Sequence, residues 1–99
     1  MKNKGGVVYI MTTPNRRVLY TGVTADLYRR VWEHKNKTNP KSFTARYNCV
    51  MLVYYALFDR IEDAILEEKR IKGCSRQYKD LLIDTVNKEW RDLWDDIQE

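Results

Sequence analysis

Apolar residues along the chain fall into three short runs rich in β-branched and aromatic side chains, joined and followed by stripes at spacings of three and four. Val7, Val8, Tyr9, Ile10 and Met11 form the first run; Thr12, Thr13 and Pro14 end it, which predicts a strand stopped by a turn. The second run, residues 18–21, is closed by Gly22. Only residues 14–17 separate the two, so an antiparallel hairpin is the economical connection; a parallel pair needs a crossover of about a dozen residues. Residues 51–58 make the third run, and their β-branched and aromatic content marks them as the best central strand.

The helical stripes lie around these runs. Asp26 can cap a helix whose inward side carries Leu27, Arg30, Val31 and His34, and which should fail near residues 37–40, where polar residues and Pro40 collect. Residues 35–48 read as a polar, basic loop with a short helical turn around residues 43–47. Glu62 begins a second long helix with Ala64, Ile65, Glu68, Ile71 and Lys72 on one side and Gly73 as its stop. A third starts at Ser75, its cap, turns Tyr78, Leu81, Leu82, Thr85 and Val86 inward and ends at Asn87. Trp90, Leu93, Trp94 and Ile97 recur at helical spacing in the tail, an apolar edge for this domain or for a neighbouring subunit; the expected state is a monomer or a weak homodimer through that segment. The reading is one α/β (α+β) domain over residues 1–99, with a core at about 6–94: three antiparallel strands flanked by helices.

Composition narrows the classes. Ninety-nine residues close one core and leave no room for a second, targeting domain. With 43% hydrophobic and 32% charged residues the chain is compact rather than disordered; it lacks a signal-peptide pattern and an apolar run near the ~20 residues that span a bilayer, so a cytoplasmic location is expected and a membrane partner is not. Cys49 and Cys74 have no metal-site spacing and read as free thiols. Charge is divided unevenly. Residues 1–55 carry ten Lys or Arg against Asp26 and Glu33, a net +8, whereas residues 56–99 carry eight against twelve acids, a net −4. A polyanion is attracted to the first half, where Arg29, Lys35, Lys37, Lys41 and Arg46 are the candidate nucleic-acid contacts. Seven Tyr and three Trp are many for this length; each is read first as packing, and base stacking is the minority use.

Several residues ask for chemistry. Arg30 and His34 share an inward face; either Arg30 pairs with a structural carboxylate, or its fork meets phosphate oxygens beside a histidine that exchanges protons near neutral pH. Glu68 on an apolar stripe needs a cation, which is Arg30 or a divalent metal with the oxygen ligands that Mg²⁺ prefers. The hairpin brings Tyr9 near Tyr20; either phenol is core, or it orients a water. Gly22 permits a tight turn and close backbone approach to a ligand.

Val7, Val8 and Tyr9, then Tyr20, Thr21 and Gly22, followed by Arg30 and His34 ten and fourteen residues beyond Tyr20, resemble the motifs of the GIY-YIG nucleases. The stretch around Glu68 resembles that family's metal-binding helix, and residues 87–93 resemble the ending of its small free-standing members, related to the nuclease domain of the excision-repair subunit UvrC. Val7, Val8 and Thr21 depart from the motif names but keep β-compatible side chains and both tyrosines. The resemblance implies an endonuclease that hydrolyses DNA phosphodiesters with one Mg²⁺ or Mn²⁺ held by Glu68, in the service of DNA repair, on DNA that is branched or damaged. Tyr9 or Tyr20 would activate water, Arg30 hold the scissile phosphate, His34 assist proton transfer, and Asn87 add a polar group. The alternative is a noncatalytic nucleic-acid-binding module that retains the nuclease fold.

Overall fold

The computed structural model describes residues 5–98, so the first four residues and the last of the expected domain lie outside it. Three strands, β1 (Gly6–Thr12), β2 (Leu19–Thr24) and β3 (Met51–Phe58), form an antiparallel sheet in the order β2-β1-β3. The hairpin and all three strand runs are therefore as expected, with one correction: β1, not β3, is central. All seven β1 residues are buried, because helices cover both faces of the sheet and a strand covered twice needs apolar residues on both sides. β3 is an edge and leaves Leu57 52% exposed.

The β1 pleat sorts the core into two clusters. Val7, Tyr9 and Met11 pack with Leu52 and with Leu27 and Val31 of helix α1 (Leu27–Lys35). Val8 and Ile10 pack on the other face with Ala64 and Ile71 of α3 (Ile61–Lys72) and Ile83 of α4 (Arg76–Val86). Between α1 and β3 a single turn, α2 (Phe43–Arg46), occupies the position read as a short helical turn. Caps fall at Asp26, Ser42 and Ser75, whose side chains accept from the backbone N–H of Arg29, Ala45 and Tyr78.

The face predicted for α4 is corrected. Tyr78, Leu81, Thr85 and Val86 are exposed, Leu82 is half-buried, and Ile83 carries the contact. The tail folds back on its own chain through a 3₁₀ helix (Leu93–Ile97) that adds Leu93 and Ile97 to the first cluster. Trp94 stacks on Tyr28 with centroids 4.9 Å apart, and Trp90 Nε1 donates to Asp84 at 2.6 Å. Both cysteines are free thiols. Among the described residues no helix is long and apolar enough to cross a membrane.

Candidate functional site

Tyr9 stands on the central strand opposite Gly22. A Cβ at position 22 would lie 2.5 Å from the Tyr9 hydroxyl oxygen and 2.6 Å from its Cζ, well inside contact distance. Gly22 lies within β2 rather than closing it, and its φ is not positive. Its expected role is corrected accordingly: the missing side chain makes room for the Tyr9 ring, not for a tight turn.

The Tyr9 hydroxyl lies 2.8 Å from His34 Nε2, and His34 Nδ1 lies 2.8 Å from the Thr44 hydroxyl, which is 3.3 Å from that of Ser42. Burial pushes the Tyr9 phenol well above its ordinary range, the neighbouring Tyr20 adds to the rise, and the Arg30 guanidinium works against it. Burial also pushes His34 down to about 4, with help from the Arg30 charge and against Glu33. Both groups are thus neutral at pH 7. A neutral imidazole donates from one ring nitrogen and accepts at the other, so the Tyr9 and Thr44 hydroxyls take complementary roles on its two sides.

Tyr20 completes the cluster from the edge strand, its ring centroid 6.2 Å from that of Tyr9 and 5.6 Å from His34. Tyr20, Arg30 and His34 line one polar cavity of about 110 Å³ with Glu33 and with Thr38, Ser42 and Thr44 from the loop and turn that follow α1. Tyr9 has no exposed surface and supports the cavity from beneath. Arg30 is not on the buried stripe as expected. Its side chain is 48% exposed at the cavity mouth and lies 3.4 Å from Glu33, because α1 buries only Leu27, Val31 and His34.

Glu68 does not line this cavity. It lies on α3, across the sheet, with its side chain only 12% exposed and a carboxylate oxygen 2.9 Å from Lys72 Nζ. The cation it required is therefore Lys72 rather than Arg30, one turn along the same helix, where reach is shortest. Lys72 Nζ in turn stands 6.0 Å from the Tyr20 ring centroid. The described residues hold no group of three His, Cys, Asp or Glu side chains able to cage a metal. Any ion there would have from Glu68 a single carboxylate ligand, the rest coming from water and phosphate.

Asn87 belongs to the framework. A bulge in β3 leaves Val53 without a β1 partner, and Asn87 Nδ2 donates to the Val53 and Arg91 carbonyls at 3.1 and 2.8 Å. Of the candidate surface cations, Lys35 is held by Asp92 and stands over Trp94, and Arg29 pairs with Glu33, whereas Lys37, Lys41 and Arg46 are exposed. Thr44, Ser42 and Glu33 were not foreseen as cavity residues. Ser42 is at least legible as a cap; nothing in the chain marks Thr44 as the partner of His34.

The GIY-YIG catalytic domain model matches residues 5–80. A UPF0213 protein of Autographa californica nuclear polyhedrosis virus is 36% identical over 82% of this chain and 78% of its own. One from Haloquadratum walsbyi is 37% identical over 76% of this chain and 82% of its own. The solution NMR structure of a UPF0213 protein from Bacillus halodurans superposes with a TM-score of 0.55 at 27% identity, covering 86% of this chain and 88% of that one. With Tyr20, Arg30 and His34 lining one cavity and Tyr9 packed behind them against Gly22 of β2, the chain belongs to the GIY-YIG family and is similar to small UPF0213 proteins.

Proposed function

We propose that the cavity receives a phosphodiester of a nucleic acid and that the chain is a nucleic-acid-binding module on the nuclease fold. The observation that carries this reading is the placing of Arg30 at the mouth of a cavity lined by hydroxyls from Tyr20, Thr38, Ser42 and Thr44. A guanidinium offers a planar fork of donors that matches phosphate oxygens, and hydroxyls can donate to those it leaves over. His34, kept neutral, adds no charge of its own. The exposed Lys37, Lys41 and Arg46 extend the positive surface along the strand that would lie there.

Metal-dependent endonuclease action is the second reading, favoured by the burial of the Glu68 carboxylate beside Lys72, whose ammonium stands over the Tyr20 ring. Glu68 would hold Mg²⁺ or Mn²⁺ once Lys72 swings aside, and the ion would offset phosphate charge and acidify a bound water. Tyr20 is then the tyrosine placed to orient water, because Tyr9 has no surface from which to reach one. Arg30 would hold the scissile phosphate in place.

The test is incubation of the protein with linear, nicked and branched DNA, with Mg²⁺, with Mn²⁺ and with chelator, reading bound and cut fractions together. Binding in chelator without products under either ion supports the module. Products that vanish in chelator and in Glu68→Gln, with binding kept, establish the nuclease instead. Absence of binding in every arm refutes both.

A further inference from the structure

Beside the cavity the structure carries a feature that phosphate binding does not use. The Tyr20 ring stacks against Phe43 with centroids 5.9 Å apart and planes 29° apart, and Phe43 lies 4.6 Å from Tyr47 at 36°. Three rings thus lead from the cavity wall out along α2. Neither Phe43 nor Tyr47 belongs to the core; they are 43% and 48% exposed. Arg46 holds its guanidinium 5.9 Å from the Tyr47 centroid, and Lys41 is exposed just before the turn. No Asp or Glu occurs between Glu33 and Asp59. Exposed rings flanked by Lys41 and Arg46 match a ligand that offers flat apolar faces joined by negative charges.

We propose that Phe43 and Tyr47 form a stacking platform for unpaired bases, so that the cavity takes its phosphodiester from single-stranded nucleic acid. This rests on the phosphodiester reading of the cavity and names its substrate class. A base attached next to a phosphate held by Arg30 has the α2 rings within reach, whereas in a duplex the same faces are already stacked on neighbouring bases. Stacking on aromatic rings tolerates any sequence, because every base has a π-face. Lys41 and Arg46 would follow the backbone past the rings.

Fluorescence anisotropy with three labelled probes tests this: oligo-dT of about 12 nucleotides, chosen within the footprint of single-strand-binding proteins, an abasic oligomer with the same number of phosphates, and a blunt duplex. Wild type should bind oligo-dT most tightly. Tyr47→Ala should lose about fivefold or more of that affinity, the lower end of what one stacked base contributes, while abasic and duplex affinities stay level. Tyr47→Trp, which enlarges the π-face, should restore it. Equal affinity of wild type for oligo-dT and the abasic oligomer overturns the platform, as does a Tyr47→Ala loss shared equally by all three probes. Failure of wild type to bind any probe at low salt defeats the phosphodiester reading and the platform with it.

Discussion

Tyr9 and Gly22 face each other across β1 and β2, and the glycine has no space for even a methyl group. Gly22→Ala should therefore cost about 1–3 kcal/mol, the usual range for overpacking a filled core. Denaturant unfolding measures it; a variant as stable as wild type would show that the ring can retreat. His34 makes a second prediction. Its folded pKa of about 4 lies below the ~6.5 of an unfolded histidine, so the unfolded chain binds more protons between those values. The folded state should lose about 2 kcal/mol between pH 7 and pH 5 through this residue alone. Carboxylates also titrate in acid, so the comparison is with His34→Gln, whose loss over the same interval should be smaller by that amount. Equal slopes would mean that His34 is not held neutral by its surroundings.

At the scale of elements, the C-terminal segment is fastened by one carboxylate. Asp92 Oδ1 accepts from the backbone N–H of Leu52 and of Trp94, each at 3.1 Å, and Oδ2 accepts from Lys35. Asp92 thereby ties the tail to β3 and α1, which give Leu52, Leu27 and Val31 to the first core cluster. Asp92→Ala leaves those donors without their acceptor and should cost about 1–3 kcal/mol, read as a lower denaturation midpoint; an unchanged midpoint would make the tail dispensable. Strands and caps were legible in the chain because apolar runs and Ser or Asp at helix starts act locally. The face of α4 was not, since Tyr78, Leu81, Leu82, Ile83 and Val86 spread over a broad face and only its line of contact with the sheet selects Ile83. The composition of β3 favours a strand without fixing its place; position in a sheet depends on which faces the helices cover, and no run records that.

Across the whole molecule, the motif spacing brings Tyr9, Tyr20, Arg30 and His34 together; the fold sets the last three on one cavity and buries Tyr9 behind His34. Glu68 was harder to place. Its pairing with Lys72 is written in the i, i+4 spacing, but its side of the sheet depends on which face α3 covers. Asn87 is a site candidate through the motif resemblance alone, and the chain gives no sign that a bulged strand also engages its amide. The basic first half of the chain predicts an affinity that falls steeply with salt, since it comes largely from displaced counterions. More locally, the proposed phosphate at the cavity mouth is held by Arg30, and this contact can be isolated. It is tested most directly by the affinity of wild type and folded Arg30→Ala for one oligonucleotide at the same low salt, with chelator present. A charge-assisted hydrogen bond of ~1.5 kcal/mol or more predicts at least a roughly tenfold weaker complex for the variant; affinities equal within error would contradict the account.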